Sequence, residues 1–302
     1  MFTNEYAWAT SVLPRPDASA VAIAPPEPGA GHWAGAPSAV LGEDAIYLAY
    51  RLRRPLGAGR GYAVTVARSH DGVSFQSVVT VRREQFGAES LERPSLVRSP
   101  AGRWRLYVSC ATPGTKHWRV ELLEADHPSK LDPAQRVVVL PGDPKTGVKD
   151  PVIRHRDGQW QLWASCHPIA DPDDADQMVT DYATSADGLE WTWHGTALTG
   201  RPGQWDARGT RVAAVCDVGS SIVAFYDGRA SAAENCEERT GIAIGTDPAA
   251  LAGFGTGPAA ESRHAGHGLR YLDLLALGNG RHRIYYELTR ADGAHELRTE
   301  ER

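Results

Sequence analysis

Four acidic residues are the first candidates for chemistry in this sequence, because a carboxyl group serves as acid or base according to its surroundings. Asp150 lies between a lysine and a proline, and Asp206 follows a tryptophan. Glu234 and Glu237 lie in a stretch rich in carboxylates, residues 227 to 241. We predict Asp150, Glu237, Glu234 and Asp206 as catalytic residues, with Glu237 preferred as the acid. The alternative is that the stretch holding the two glutamates is a solvent-exposed turn, since such a turn would have the same composition.

Two arginines indicate which kind of ligand would meet these carboxylates. Arg93 and Arg208 each lie at the start of a predicted strand, with Lys149 and Arg270 at comparable places. A guanidinium group binds carboxylate or phosphate through two parallel hydrogen bonds. The pattern predicts an anionic or highly hydroxylated ligand. An internal salt-bridge network with neighbouring carboxylates is the alternative.

A repeat in the chain shows which elements position these residues. Pro37, Pro94 and Pro151 lie 57 residues apart, and each opens a short apolar segment. A second apolar or aromatic run follows about ten residues later, as at Trp104 and Trp160. A period near 50 residues with several short strands per period is typical of a β-propeller.

The remaining strands complete the predicted ring. Residues 62–67, 118–123 and 179–184 are predicted third strands, and Asp-Gly turns follow the first and third of them. Two further blades follow residue 208, and the last contains three predicted strands. We predict that an N-terminal strand, about Val21 to Ala24, completes this last blade and closes the ring. The chain would then form one five-bladed all-β domain, residues 1–302, rather than two unrelated β domains.

This topology predicts where a ligand would bind. Neighbouring strands of a blade are antiparallel, so the starts of the first strands share a face with the loops between second and third strands. That face would also hold Lys116, Lys149, Glu238 and Arg270. The substrate-binding residues that we predict there are Trp33, Glu92, Arg93, His117, His167, Arg208, Asp227, Arg229 and Tyr271. Trp33 could equally pack within a blade.

Composition excludes several other classes of protein. The formal net charge of −5 disfavours nucleic acid or anionic membrane as a partner. The sequence contains no apolar run long enough to span a bilayer, and its first residues lack the pattern of a secretory signal. Its 4 cysteines show no metal-ligand spacing and fit a reduced interior. We therefore expect a cytoplasmic protein, and the sequence leaves its oligomeric state open.

The segment around Asp150 resembles the five-bladed propeller glycosidases. The triplet ending in Pro151 is followed by Trp160 and Trp163 and by a turn from Ser185 to Trp191. Together these motifs resemble glycoside hydrolase family 43 and the families that share its fold. The resemblance implies an inverting mechanism with an aspartate base in blade one, a pKa-tuning aspartate in blade three and a glutamic acid in blade four. Asp150 matches the blade-three aspartate.

The other catalytic positions depart from that family. The blade-one position falls on Ala36 and the blade-four position near Arg208, and neither side chain exchanges a proton at neutral pH. His267 resembles a histidine that helps hold a central metal ion in arabinan-degrading relatives. The resemblance thus implies that a central ion such as calcium is an option at His267, and that no cofactor is required.

These observations support three interpretations of function. The first is a glycosidase-like enzyme that acts on a small, anionic or hydroxylated glycoside with a rearranged set of carboxylates. The second is a carbohydrate-binding or regulatory propeller that has lost its catalytic pair, as Ala36 and Arg208 suggest. The third is a biosynthetic tailoring enzyme that uses the same pocket, for which a strongly basic pocket would be the indication.

Overall fold

The computed structural model describes residues 2–171 and 173–302, and most of them lie in β-strands. One helix, α1, spans Thr3–Ser11, and the first strand, β1, spans Ala20–Ile23. Short 3-10 helices lie at Pro16–Ala18, Leu56–Ala58, Arg83–Phe86, Pro128–Lys130, Pro133–Gln135 and Ala232–Glu234. No helix in these ranges is long and apolar enough to cross a membrane.

The other strands pair antiparallel in successive sets, which we call units 1 to 5. Unit 1 contains β2 (Trp33–Leu41), β3 (Ile46–Arg53), β4 (Gly61–Ser69) and β5 (Gln76–Arg82). Unit 2 contains β6 (Leu91–Arg98), β7 (Trp104–Ala111), β8 (Trp118–Ala125) and β9 (Val137–Leu140). Unit 3 contains β10 (Thr146–Arg156), β11 (Gln159–Pro168), β12 (Val179–Ser185) and β13 (Thr192–Leu198).

The last two units follow the same order. Unit 4 contains β14 (Gly209–Val218), β15 (Ser221–Arg229), β16 (Arg239–Asp247) and β17 (Ala250–Phe254). Unit 5 contains β18 (Leu269–Gly278), β19 (Arg281–Thr289) and β20 (His295–Glu301). The first strands of successive units contact one another in a cycle, because β2 touches both β6 and β18.

The hydrophobic core lies between the units. In β3, Leu48 and Tyr50 pack with Tyr285 of unit 5, whereas Tyr47 on the opposite face packs with Trp104 of unit 2. Alternate side chains of a strand point to opposite faces, so one strand contributes to two clusters. Corresponding clusters join units 2 and 3, units 3 and 4, and units 4 and 5. Each unit is thus buried on both faces by its neighbours.

The N-terminal segment packs against the last units. β1 pairs antiparallel with β20, with Ala20 opposite Thr299 and Val21 opposite Arg298. The sequence analysis placed this strand one residue later and did not predict α1. Ala9 of α1 and Val12, which follows the helix, are buried in the cluster between units 4 and 5.

In every unit the first strand has one residue more than the second strand at the same place in their pairing. The register of this pairing identifies equivalent positions in the five units. Asp150 corresponds to Ala36, Arg93, Val212 and Tyr271. The fourth-unit equivalent is therefore Val212, and not Arg208 as the sequence analysis proposed. Ala36, Asp150 and Tyr271 have positive φ angles of 54°, 53° and 52°. This conformation is unusual for a residue with a side chain and turns the chain at the entrance to the ring.

We expect deletion of residues 2–24, which removes β1 and α1, to destabilise the protein more than deletion of residues 2–13, which removes α1 alone. The longer deletion exposes the backbone edge of β20. We expect its midpoint of thermal unfolding to be lower than that of the shorter deletion by roughly 4 °C or more, which corresponds to about 2 kcal/mol. Equal midpoints, measured by calorimetry, would show that β1 contributes little.

Candidate functional site

A cavity of about 510 Å³ opens where the first strands begin. Its wall contains 8 lysine or arginine side chains and 3 carboxylates. The cations are Arg51, Arg53, Arg60, Lys116, Lys149, Arg211, Arg229 and Arg270, and the carboxylates are Glu92, Asp176 and Glu238. Trp118, His167 and Tyr271 also line it. The cavity is thus strongly basic although the whole chain is acidic.

The first strands place charged residues at equivalent positions around the cavity. Glu92, Lys149, Arg211 and Arg270 occupy equivalent register positions, shortly before the irregularity in their strands. The second strands contribute Arg51, Arg53, His167 and Arg229, and the remaining residues come from loops and from Trp118 at the start of β8. The fold therefore concentrates side chains from all five units in one cavity.

Buried ion pairs connect the units at the base of the cavity. Glu287 accepts hydrogen bonds from Arg51 at 2.7 Å and from Arg270 at 2.7 Å. Glu238 in turn accepts from Arg270 at 2.5 Å and from Arg229 at 2.6 Å. We call these five residues the central ion-pair chain, and all five are buried. The internal salt-bridge network, which was the alternative to ligand binding, therefore exists, and it contains Arg270 but neither Arg93 nor Arg208.

Unit 1 has a glycine, Gly35, where the other units have a charged side chain. A methyl group on Gly35 would overlap the carboxylate of Glu287. The φ angle of Gly35 is not left-handed, so the constraint is space rather than backbone conformation. This glycine makes room for the central ion-pair chain.

Asp150 lies below the cavity wall rather than in it. It is fully buried, and one carboxylate oxygen accepts hydrogen bonds from Arg211 at 3.1 Å and from the Tyr271 hydroxyl at 3.3 Å. Its backbone N–H donates to Ser109 at 2.8 Å. The other carboxylate oxygen has no hydrogen-bond partner among the described residues. Asp150 therefore positions two groups that do face the cavity.

Asp227 supports the same two groups from the second strand of unit 4. It accepts hydrogen bonds from Arg211 at 2.8 Å and from the Tyr271 backbone N–H at 2.9 Å. The Arg211 guanidinium also lies 3.8 Å from the centre of the Tyr271 ring. Burial raises the pKa of Asp227, and Arg211 opposes that rise. Asp227 is buried, and the structure does not place it on the cavity wall.

The three carboxylates that face the cavity are ionised at neutral pH. Burial would raise the pKa of Glu238, but Arg270, Arg211 and Arg229 hold it well below its usual value. In the same way Arg51 and Arg53 outweigh burial and lower the pKa of Glu92. Asp176 also has a lowered pKa, because a hydrogen bond from Arg208 outweighs its burial. Each of these carboxylates can accept a proton or stabilise positive charge, but none is a general acid at neutral pH.

Two neutral polar side chains face the same cavity. His167 is bonded to Ser165 and to the Ala175 carbonyl group, and burial together with Lys149 lowers its pKa well below the usual value. Burial raises the pKa of Tyr271 far above its usual value, so its hydroxyl stays protonated. Burial also lowers the pKa of Lys149.

Arg93 does not line the cavity, and its side chain reaches unit 4 instead. Its guanidinium donates to the carbonyl groups of Val212 at 3.4 Å and Ala213 at 2.5 Å, which belong to the opposite side of the ring. Burial lowers its pKa, and Asp273 is its foremost compensating charge. Asp273 itself is partly buried, and the loss of solvent around its carboxyl group raises its pKa to about 6. Arg93 is thus a structural cation rather than a residue that contacts a ligand.

The structure does not bring three of the predicted catalytic residues to the cavity. Glu237 accepts hydrogen bonds from Gly268 and Thr289, while its neighbour Glu238 faces the cavity. Glu234 pairs with Arg239 in its own loop. Asp206 is buried under Trp205, where it binds Arg201 and Tyr226. Each of the three carboxylates is bound by partners outside the cavity wall.

Of the other residues predicted to bind ligand, some line the cavity and some do not. Glu92, His167, Arg229 and Tyr271 line the cavity, as predicted for the binding face. Trp33 is buried and stacks on His295, with ring centres 4.4 Å apart. His117 bonds to Thr112, and Arg208 pairs with Asp176. These last three side chains do not line the cavity.

His267 does not fit a metal site. It is exposed, and its ring bonds to the Ser262 carbonyl group at 3.0 Å. Within residues 2–171 and 173–302, no three His, Cys, Asp or Glu side chains are grouped to hold a metal ion.

Sequence reasoning missed several residues of the cavity wall, notably Arg51, Arg53, Arg60, Trp118, Asp176 and Arg211. Arg211 could have been found, because it precedes the extra residue of β14 as Lys149 precedes that of β10. The 57-residue spacing does not extend to unit 4, and this hid the equivalence. Arg51 and Arg53 lie two residues apart at the end of β3. This spacing was the signal in the sequence that could have indicated that both line the cavity.

No family model and no curated protein matches the chain, but its fold is similar to solved structures of carbohydrate-active proteins. A thermostable family-43 glycoside hydrolase has a TM-score of 0.70 at 14% identity, covering 93% of this chain and 92% of that one. A glycosyl hydrolase from Bacteroides ovatus has a TM-score of 0.66 at 16% identity, covering 92% and 85%. The β-1,2-mannobiose phosphorylase of Listeria innocua has a TM-score of 0.63 at 13% identity, covering 92% of each chain. The resemblance to the glycosidase superfamily is confirmed at the level of the fold.

We expect Gly35→Ala to lower the free energy of unfolding by about 3 kcal/mol or more. The new methyl group would displace the carboxylate of Glu287 and leave the buried arginines that bind it without a partner. Gly57→Ala is the matched control, since a methyl group on Gly57 would meet no atom within 4 Å and its φ is not left-handed. Urea denaturation measures both. Similar values for the two variants would contradict the importance of the central ion-pair chain.

We expect Asp273 to make the protein more stable in mild acid. The raised pKa means that the folded state favours the protonated carboxyl group, so this contribution grows as pH falls from above 6 towards 4. Between pH 7.5 and pH 5 the wild type should gain about 1 kcal/mol relative to Asp273→Asn. Asp157→Asn, at an exposed site, should show no such difference. A constant difference between wild type and Asp273→Asn would refute the shift.

Proposed function

We propose that this chain, which shares its fold with glycoside hydrolases and a mannobiose phosphorylase, is a glycosidase-like enzyme that acts on a small anionic glycoside in the basic cavity. Its architecture in this proposal is one five-bladed propeller, in which units 1 to 5 are the blades and β1 completes the last. The cycle of first strands and the clusters between successive units support that architecture.

The observation that carries the proposal is the charge of the cavity wall. It has 8 cationic side chains against 3 carboxylates, and arginine presents a planar fork of donors that suits carboxylate and phosphate groups. Buried carboxylates behind the wall, Glu287 and Asp227, neutralise part of this charge, but a neutral sugar would leave the rest without a partner. We therefore assign the cavity to a carbohydrate that carries a carboxylate or phosphate group.

Glu238 is the carboxylate that we place beside the reacting bond. It faces the cavity, is buried and ionised, and is held by Arg229 and Arg270. An ionised carboxylate can activate water or stabilise the positive charge that develops on a sugar ring during glycoside cleavage. Glu238 thus replaces Glu237, Glu234 and Asp206 in the proposed mechanism. Asp150 remains as the residue that positions Arg211 and Tyr271.

A second candidate function is binding without turnover. Every described carboxylate on the cavity wall is ion-paired, and the family positions in units 1 and 4 are Ala36 and Val212. An ordinary glycosidase needs one protonated carboxyl group, which this arrangement does not provide. The third interpretation, a tailoring reaction on a non-glycosidic bond, is favoured only by the basic wall. Cytoplasmic location and independence from cofactors stay predictions.

We expect purified protein to release the aryl group from anionic aryl glycosides, such as uronides and phosphorylated hexosides, in preference to the neutral parent sugars. Glu238→Gln should lower kcat/KM by about 100-fold or more, because it removes the ionised carboxylate. Glu237→Gln is the matched control, one residue away and outside the cavity.

Thermal stabilisation by an anionic sugar without any turnover would favour the binding function instead. Loss of turnover in Glu237→Gln but not in Glu238→Gln would restore the assignment made from sequence. Failure of every sugar in the panel to bind or react would reject the proposed function.

A further inference from the structure

We propose that the anionic group of the substrate is its leaving group, so that the cavity cleaves a glycosyl phosphate. In this proposal the phosphoryl group binds to a subsite formed by Arg53, Arg60, Lys116 and Lys149, which we call the cationic subsite. The inference rests on the proposed function, and it names the substrate class.

The cations on the cavity wall differ in how completely they are compensated. Arg51 and Arg270 each lie 2.7 Å from Glu287, and Arg229 lies 2.6 Å from Glu238. Arg211 lies 2.8 Å from Asp227. These arginines form short hydrogen bonds with fully buried carboxylates. Their charge is therefore largely neutralised within the protein.

The cationic subsite lacks comparable partners. Arg53 shares Glu92 with Arg51 and lies 3.1 Å from it, and the Lys149 amino group is 3.7 Å from Asp150. Arg60 has a contact of 3.5 Å with Glu89, which is half exposed. No carboxylate of the described residues lies within 4 Å of the Lys116 amino group. This part of the wall therefore has positive charge available for a ligand.

All four cations line the cavity, and two of them flank the same aromatic ring. The Lys149 amino group lies 4.9 Å and the Arg60 guanidinium 5.8 Å from the ring centre of Trp118, which also lines the cavity. Lys116 is two residues before Trp118 in the chain. A phosphate monoester carries nearly two negative charges and three acceptor oxygens, so it suits four cations better than a single carboxylate does.

The protonation of the cavity points to the same substrate. A sugar leaving group departs as an alkoxide unless an acid protonates it, and the carboxylates on this wall are ionised by their arginines. A phosphoryl group has a second pKa near 6, so near that pH it can carry one proton, and it then leaves as hydrogenphosphate, a far weaker base that needs no further acid. A glycosyl phosphate thus requires the two features that this cavity has, a carboxylate base and a cationic wall.

The step balances with water as the only other reactant. The oxygen of water attacks the anomeric carbon, and its proton passes to the Glu238 carboxylate. The bond between that carbon and the oxygen of the singly protonated phosphoryl group breaks, and its electron pair leaves with hydrogenphosphate on the cationic subsite. Glu238 then returns the proton to solvent, and the products are a reducing sugar and inorganic phosphate.

The decisive experiment incubates the full chain with α- and β-hexose 1-phosphates in ¹⁸O-labelled water and follows phosphate by ³¹P NMR. We expect release of inorganic phosphate that contains no ¹⁸O, since the carbon–oxygen bond breaks. Label in the phosphate would show cleavage of the phosphorus–oxygen bond and overturn the proposal. Inorganic phosphate tested alone should inhibit competitively, and binding of phosphate without cleavage of either anomer would also overturn it.

Substitutions of single cations test which residues form the cationic subsite. Lys116→Gln and Arg60→Gln should each raise KM for the glycosyl phosphate and the inhibition constant of phosphate about tenfold, the effect of losing one charged hydrogen bond. Both side chains are partly exposed, so the fold should survive. Lys145→Gln, an exposed lysine that does not line the cavity, is the matched control and should change neither constant. Unchanged constants in the first two variants would overturn the subsite.

A set of aryl glycosides separates this inference from the proposed function. We expect their rates to fall steeply as the leaving phenol becomes more basic, because no acid assists its departure. Turnover that is insensitive to the phenol, with no competition by phosphate, would overturn the inference and leave a glycosidase-like enzyme. Absence of binding and turnover for both glycosides and glycosyl phosphates would reject both.

Discussion

The central ion-pair chain is the constraint on which the rest of this structure depends. Glu287 joins Arg51 of unit 1 to Arg270 of unit 5, and Glu238 joins Arg270 to Arg229 of unit 4. Burying a single charge costs several kcal/mol, and only partners of opposite sign with good hydrogen-bond geometry offset that cost. The ring must therefore hold these five side chains together, and Gly35 leaves the space that they need.

The same pairing decides the chemistry of the cavity. Arginines that stabilise buried glutamates also keep them ionised, because a positive charge within hydrogen-bond distance favours the charged form. Glu238 and Glu92 therefore cannot be acids, although both face the cavity. Lys149, Arg60 and Lys116 are less completely paired, and their charge remains for a ligand. One electrostatic arrangement thus supports both the stability of the ring and the proposed specificity for anions.

The carboxylate loop of unit 4 shows why sequence reasoning selected the wrong neighbour for the cavity. Glu237 and Glu238 are adjacent, and their composition and spacing are equally suited to a catalytic acid. Glu237 instead binds Thr289 and Gly268, whereas Glu238 reaches Arg270 and Arg229. Gly268 and Thr289 are 31 and 52 residues from Glu237, and Arg270 is 32 residues from Glu238, so the local pattern does not encode the direction of either side chain.

The sequence by itself determined that the chain is all-β, that Asp150 lies at the start of a repeated strand, and that cations such as Lys149 and Arg229 gather on one face. Local periodicity and the alternation of strands suffice for these conclusions, because they depend on neighbours along the chain. Only the tertiary structure decided that Asp150 lies beneath Arg211 and Tyr271, and that Glu238 faces the cavity. Whether a cavity side chain is exposed and whether it is protonated depend on groups of other units that lie within a few ångströms. Such distances exist only after the units have packed together.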